Sequence, residues 1–406
     1  MVNPYIQRSL EPVLSKAAAQ FPAVILTGPR QSGKTTLLKH LFGLQYRYVS
    51  LEAPDVRGSA QEDPRNFLEI HAPPVIFDEV QHVPSLLPYI KEKIDAQRDQ
   101  FGQYLLTGSQ NLLLLEKITE SLAGRAAILR LFPLSYREAE NQPDRPLPWE
   151  SGPEPTSSMK SYARLWETFL RGSYPELTAY PEKDARLWYA SYVQTYLERD
   201  VRALRQIGDL SQFQNFLRAL AARSAQILQM SELARDLGVA VNTVKNWISI
   251  LEATHQVILL RPYFSNVGKR LVKSPKVYFT DVGTLCYLTG LKDPEHAASG
   301  PLGGPIMETA VLSEIIKSLA HRGIDPQVYF WRTTAGAEVD ILVETGGELV
   351  PIEVKLSATP RPAMASALKS FHKDFPNKTR PGYVIHPGDA CLPLGQNIMA
   401  LPFARL

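Results

Sequence analysis

The stretch Gly28-Pro29-Arg30-Gln31-Ser32-Gly33-Lys34-Thr35 decides the fold. It reads G-x-x-x-x-G-K-[ST], directly after the apolar run AVILTG (23–28) and directly before a helical pattern that takes in Thr36. Glycines let the loop turn its backbone amides onto phosphate oxygens. A lysine at this spacing reaches the β and γ phosphates of a nucleotide, and a hydroxyl at the start of the following helix ligates magnesium. The expected nucleotide contacts are therefore Gly28, Pro29, Arg30, Gln31, Ser32, Gly33, Lys34, Thr35 and Thr36. Lys34 also serves the chemistry, and Thr35 is the first ligand of the Mg²⁺ that accompanies ATP.

Outward from that loop, residues 21–135 alternate short apolar runs with helical patterns. AVILTG, YRYVSLE, PVIFDE, QYLLTGS and AAILRLF read as five strands, and near-continuous apolar strands interleaved with helices predict a parallel α/β sheet. PVIFDE ends in two acids: Asp78 is expected to hold magnesium and Glu79 to polarise an attacking water. The run QYLLTGS ends in Thr107 and Ser109, hydroxyls placed to sense a γ-phosphate.

In this order GPRQSGKTT, VIFDEVQ, LLTGSQ and SLAGRAAILRLFPLSYRE resemble AAA-type P-loop ATPases. The resemblance implies a 5-1-4-3-2 strand order, a helical lid and ATP with Mg²⁺ as the bound pair. It also implies that Arg125 reaches a neighbouring subunit's nucleotide, in competition with Arg30, Arg171 and Arg202. That makes a homo-oligomer the expectation, a hexameric ring if Arg125 acts in trans. FLRGSYPEL resembles a glycine-proline lid element that sets Gly172 and Pro175 near the base or γ-phosphate, with Ser173 where a second glycine is usual. Glu198 and Arg202, four apart, read as a helix-surface ion pair.

The texture then changes. Residues 141–160 carry prolines 143, 146, 148, 153 and 155 and read as an exposed connection. Residues 161–260 are mostly helical, and MSELARDLGVAVNTVKNW reads as helix, Gly238 turn, and a second helix capped by Asn242 or Thr243. Trp247, Ile250 and Leu251 repeat at helical spacing and belong to its core side. After them RPYFSNVGKRLVKSPK (261–276) holds five cations and no acid. Helix, turn, helix and basic hairpin describe a winged helix. Asn242, Thr243 and Lys245, with Asn246, would face a DNA groove, and Lys269, Arg270, Lys273 and Lys276 would meet phosphates.

Residues 292–305 read as a Gly/Pro-rich hinge. Beyond it GAEVDILVETGGELVPIEVK holds Asp340 and Glu353-Val354-Lys355. If Gly346-Gly347 forms a two-residue hairpin, paired positions sum to 693, so Asp340 faces Glu353 and Glu338 faces Lys355. Two carboxylates and an ammonium then share one surface, suited to Mg²⁺. The order helix, three strands, helix, strand with D…ExK resembles the PD-(D/E)xK restriction-endonuclease-like fold, which implies a further metal ligand at Glu308 or Glu314. Over roughly residues 5–390 the chain resembles a prokaryotic family in which an AAA-type ATPase carries such a C-terminal domain of unknown function.

The expected architecture is α/β: a P-loop NTPase core (1–140), a linker and helical lid (141–210), a winged-helix module (211–290) and a nuclease-like domain (291–406). Composition excludes several classes. Of 406 residues, 44% are hydrophobic and 21% charged, which is globular rather than disordered or fibrous. Net charge is only +3, so a nucleic-acid surface must be local. Two cysteines far apart exclude a disulfide framework and a multi-cysteine zinc site, and the eight histidines lack ligand spacing. The opening MVNPYIQRSLEPVLSK is no secretory leader, and no 18-residue apolar run exists, so cytoplasm and no membrane are expected. Two functions fit: a Mg²⁺-dependent ATPase that remodels or moves along DNA, branched or single-stranded, with a nuclease-like end; or a nucleotide-controlled DNA-binding regulator whose nuclease fold is catalytically dead.

Overall fold

The computed structural model describes residues 5–109, 121–152, 162–197, 210–264, 274–333 and 336–406. Strands β1 (Ala23–Gly28), β2 (Arg47–Ser50), β3 (Val75–Asp78), β4 (Tyr104–Ser109) and β5 (Ala126–Arg130) form an all-parallel sheet ordered β2-β3-β4-β1-β5. Read from the opposite edge, that is the 5-1-4-3-2 order of the sequence expectation. Every residue of β1 is buried, because both faces of the sheet are covered. Ile25, Phe77 and Leu106 pack with Ile90 and Ile94 on one side; Val24, Leu26, Ile76 and Leu105 pack with Leu10, Leu14, Leu37 and Leu38 on the other. Each such side chain contributes about 1.5–3 kcal/mol on leaving water.

The second sheet has nine strands: β6 (Gln226–Ile227), β7 (Val257–Pro262), β8 (Lys276–Phe279), β9 (Val328–Arg332), β10 (Glu338–Thr345), β11 (Glu348–Val354), β12 (Gly382–His386), β13 (Leu392–Gly395) and β14 (Ile398–Pro402). Their order is β13-β14-β12-β11-β10-β9-β7-β8-β6. Parallel pairing of Arg261 with Tyr329 and of Pro262 with Phe330 joins β7 to β9, so the two C-terminal modules share one sheet. Helices Leu210–Ala221, Met230–Leu237 and Val241–Ala253 cover the β6–β8 end. Gly238 adopts the left-handed conformation (φ 67°) expected of the turn, but the next helix starts at Val241 with Ala240 as its uncapped N-cap, not at Asn242 or Thr243.

Two local expectations are corrected, and one hairpin was not foreseen. The described part of the proline-rich connection is tied down: Leu147 is fully buried, Trp149 packs on Tyr383 (6.3 Å between ring centroids), and the Tyr383 hydroxyl donates to Pro148 O at 3.2 Å. Pro148 can occupy the first turn of the helix Pro148–Ser151 because that position needs no N–H donor. The supposed hinge contains the helix Pro294–Ser299, capped by Asp293 (Oδ1 accepts from His296 N, 2.8 Å), and then the start of the long helix Gly303–Ala320. The hairpin β13–β14 escaped the sequence reading because Pro393 and Gly395 interrupt its alternation. Among the described residues, no helix is long and apolar enough to cross a membrane.

Candidate nucleotide site and C-terminal carboxylate cluster

Gly28 adopts φ +149°, and a Cβ there would lie 2.1 Å from the Leu131 carbonyl oxygen, so the loop can leave β1 only with glycine at this position. Gly33, at φ +93°, is the left-handed N-cap of the helix Lys34–Phe42. Lys34 is buried, and its ammonium donates to Gly28 O (3.0 Å) and Pro29 O (2.8 Å). Neutral carbonyls are weak partners for a cation, so a polyphosphate would outcompete them.

Asp78 gathers three hydroxyls. Thr35 Oγ1 donates to its two oxygens at 2.9 and 3.0 Å, Tyr48 Oη donates to Oδ2 at 2.6 Å, and Thr107 Oγ1 donates to Oδ1. Thr107 Oγ1 also accepts from the Glu79 amide at 3.1 Å. Glu79 has φ 59°, the left-handed region, which turns the chain sharply off β3, and Gln81 Nε2 donates to its carboxylate. Arg30, Lys34, Thr35, Thr36 and Glu79 line a cleft of about 280 Å³ with Glu52. Gln31, Gly33 and Thr36 also line an adjoining cavity of about 570 Å³, whose other walls include Tyr5, Arg8, Pro175 and Tyr180. Together they have room for a phosphate chain and a nucleoside.

Pro175 lies beside the phosphate loop, its Cγ 3.7 Å from the position of a Cβ on Gly33. Gly172 does not: it packs against the Tyr189 hydroxyl and Asp281, whose carboxylate accepts from Ser173 N and Oγ at 2.8 and 2.7 Å. Ser109 closes β4 opposite Gly28. Arg125 is partly exposed and donates through Nε and Nη2 to Asp95 of its own chain at 2.7 and 3.0 Å. Arg202 and Glu198 lie outside the described residues.

The sequence missed two residues at the nucleotide site: Tyr48 and Arg8. The buried Arg8 guanidinium donates to Ser32 O (2.9 Å) in the loop and to Phe132 O (2.7 Å), and pairs with Glu138 at 3.2 Å. No motif marks either residue. Tyr48 becomes visible only once β2 is known to lie beside β3.

Of the expected DNA-facing residues, Asn242 and Lys245 are exposed and Thr243 is half-buried on the helix Val241–Ala253. Lys269, Arg270 and Lys273 lie outside the described residues. Lys276 is a correction. It is 4% exposed, with Nζ 3.1 Å from Glu308 and 2.6 Å from Glu338, because β8 is flanked by β7 and β6 and its side chain turns into the C-terminal unit.

The β10–β11 register runs from Ile341 opposite Ile352 to Thr345 opposite Glu348, around Gly346 and Gly347 at φ 60° and 81°. The pairs sum to 693 as the hairpin reading required, and Asp340 and Glu353 are the next residue of each strand beyond the Ile341–Ile352 pair. Asp340 Oδ2 accepts from Val354 N at 2.8 Å, Lys355 pairs with Glu353, and Glu308 Oε1 accepts from Tyr278 Oη at 2.5 Å. Glu338 takes Lys276 rather than Lys355. Burial, then the Asp340 charge, pushes Glu308 up to about 7 and Glu353 up to about 8; burial also raises Asp340. Glu314 lies elsewhere: it accepts from Tyr136 N at 2.5 Å and pairs with Arg137 at 3.6 Å.

A glycine loop with a buried lysine, a threonine joined to a strand-end aspartate, and a five-stranded parallel sheet in this order define a P-loop nucleotide-binding protein of the AAA type. Family models agree with that class: one described as AAA domain matches residues 20–140, and two described as domains of unknown function, DUF8612 and DUF4143, match 162–295 and 303–406. Uncharacterized protein Rv2008c of Mycobacterium tuberculosis and Uncharacterized protein Mb2031c of Mycobacterium bovis are each 30% identical over 391 residues, covering 96% of this chain and 82% of theirs. The chain belongs to the same protein family as these two proteins. Among solved structures, the Walker-type ATPase PABY2304 of Pyrococcus abyssi is 14% identical at a TM-score of 0.48, over 71% of this chain and 99% of that one. The STAND protein PH0952 of Pyrococcus horikoshii, which has a tetratricopeptide repeat sensor, is 12% identical at 0.29, over 79% and 48%. Neither likeness transfers a role to any residue.

Proposed function

We propose that the protein is a Mg²⁺-dependent ATPase whose turnover serves a DNA-handling C-terminal half. The observation that carries the ATPase reading is the meeting of the Thr35, Tyr48 and Thr107 hydroxyls on Asp78, beside a loop whose lysine rests on backbone carbonyls. Bound with nucleotide, Mg²⁺ supplies charge neutralisation of the phosphates; Thr35 and Asp78 are the residues to hold it. Lys34 binds phosphate, Glu79 orients water, Thr107 ties the Asp78 carboxylate to the Glu79 backbone, and Pro175 walls the nucleoside side. Arg125, at an exposed edge, is the group offered to a neighbouring subunit in a homo-oligomer. The cellular setting proposed is the cytoplasm.

Helix, β6, helix, helix, β7 and β8, with β8 between the other two strands, support a winged helix in residues 210–279. Helix, three antiparallel strands, helix and a parallel strand carrying Asp340 and Glu353-x-Lys355 support a PD-(D/E)xK-like unit after it. The second reading, a nucleotide-controlled regulator with a dead nuclease fold, is favoured by one observation: the Lys276 ammonium among the carboxylates.

The test is direct. Lys34→Ala is expected to abolish hydrolysis and Glu79→Gln to bind ATP without turning it over; undiminished turnover in either variant ends the ATPase reading. Hydrolysis measured with single-stranded, duplex and four-way DNA separates the two functions. Strong stimulation is expected of the DNA-handling ATPase, and slow turnover indifferent to DNA of the regulator. Charge reversal at Lys269 and Arg270 is expected to weaken DNA binding and flatten its salt dependence.

A further inference from the structure

The nuclease-like reading implies a divalent metal on Asp340, Glu353 and Glu308, and the side chains present do not fit one. Among the described residues no three His, Cys, Asp or Glu side chains come together to hold an ion. The cation there is the protein's own. Lys276 Nζ lies 3.1 Å from Glu308 Oε1, 2.6 Å from Glu338 Oε1 and 5.5 Å from the centre of the Phe330 ring. Glu308 Oε1 is doubly engaged, since Tyr278 Oη donates to the same atom. One acceptor is left over: Glu353 is 6% exposed, its Oε1 takes Lys355, and its Oε2 is buried with no hydrogen-bond partner.

We propose that Lys276 is the resident cation of this cluster and that its ammonium shuts the site to divalent metal. The inference rests on the nuclease-like reading of the C-terminal unit given above. The lysine comes from outside that unit: β8 pairs with β7 through Leu260 and with β6 through Ile227, so its backbone belongs to the three-stranded end that supports the winged-helix reading. Strand pairing on both sides fixes the Cα, and a fixed Cα holds the ammonium between Glu308 and Glu338. A divalent ion taking Glu308 as a ligand would have to displace the like charge already held on that carboxylate. The C-terminal unit is thereby closed by a side chain of its neighbour, and anything that draws β8 away opens it.

The experiment is calorimetric titration of Mn²⁺ into the full-length, nucleotide-free protein, with Asp340→Asn in each background to subtract binding at the phosphate loop. Wild type is expected to show no Asp340-dependent site. Lys276→Met is expected to gain one, with affinity raised at least about a thousandfold, the size expected from removing one like unit charge about 4 Å away at an effective dielectric of 20. Lys276→Arg, which keeps the charge, is expected to bind none. ATP binding by each variant checks that it is folded. Should Lys276→Met not fold, Glu338→Gln leaves the lysine in place but removes one of its two anchors, and an Asp340-dependent site of intermediate affinity is expected. Asp340-dependent Mn²⁺ binding by wild type overturns the lock and leaves the metal reading standing. A folded Lys276→Met, or in its place Glu338→Gln, that gains no such site overturns both.

Discussion

Asp78 is the residue on which the nucleotide site turns, because three side chains from three different elements donate to one buried carboxylate. Two of the three were legible in the sequence. Thr35 follows Lys34 in a motif of fixed spacing, and Thr107 ends an apolar run. Tyr48 was not, since its relation to Asp78 exists only after β2 pairs with β3 and sets Ser50 opposite Asp78. A hydrogen bond to a charged group is worth about 1.5–3 kcal/mol, so losing the Tyr48 hydroxyl should relax the orientation of Asp78 by an amount visible in Mg²⁺ use. Tyr48→Phe is expected to raise the Mg²⁺ concentration for half-maximal hydrolysis by about tenfold, the low end of that energy. The check is ATPase rate against Mg²⁺ at saturating ATP; a superimposable curve means that Tyr48 only packs. The hydroxyl itself stays protonated, because burial and the Asp78 carboxylate both push it up.

At the scale of an element, the helix Gly303–Ala320 is buried nearly all round, as a helix at the centre of an assembly must be. The sequence offered Glu308 or Glu314 for the carboxylate cluster and could not choose. Six residues of helix at about 100° each turn a side chain through roughly 240° net, so only one of the two can face the cluster. Packing decides it: Glu308 faces β8, while Glu314 reaches the Tyr136 amide and Arg137 and Lys317 donates to Ser173 Oγ (2.7 Å) and Leu134 O (3.3 Å). Just past the helix, fully buried His321 receives the Phe132 amide at Nε2 (3.0 Å), which leaves Nδ1 to donate to Glu138 (3.1 Å). That pattern requires neutral imidazole, since a proton on Nε2 would point at an N–H. Burial accordingly lowers the His321 pKa, with Arg8 and Lys317 adding to it against the pull of Glu138. A histidine depressed on folding gives stability that is full above its unfolded value near 6.5 and lost as pH falls below it, at up to about 1.4 kcal/mol per pH unit. Glu138 has the same sign. Burial would raise it, but Arg8 and His321 outweigh that and hold it well below the carboxylate range, so its contribution fades only in acid. Denaturant unfolding at pH 7, 6 and 5 is expected to show wild type losing stability faster than His321→Gln below pH 6.5; parallel losses would mean the imidazole titrates as in the open chain.

For the whole molecule, the modules distinguishable in the sequence do not stand apart. One apolar cluster runs from Phe132 and Trp166 through Phe213, Trp247 and Tyr278 to Ile315, Leu401 and Leu406. The sheet continues from β8 and β7 into β9, and Arg8, near the start of the chain, joins Ser32 of the phosphate loop to Glu138 and thence to His321. Local patterns gave each module its elements, whereas these long-range joins depend on which surfaces meet and leave no periodicity to read. Their consequence is cooperativity. Calorimetry is expected to give one unfolding transition, which ATP raises by mass action, about 2.7 kcal/mol at a hundred times its dissociation constant. Two variants separate the joins. Arg8→Met strips a charge partner from buried Glu138, at a cost of about 3 kcal/mol, and also frees the Ser32 carbonyl, so it should lower the midpoint and shrink the shift produced by ATP. Trp149→Ala removes a buried ring packed on Tyr383, about 3–5 kcal/mol, far from the phosphate loop, so its midpoint should fall while the ATP shift stays whole. Separate transitions in wild type, or an ATP shift equally reduced by both substitutions, would mean that Arg8 carries no link between the nucleotide site and the C-terminal half.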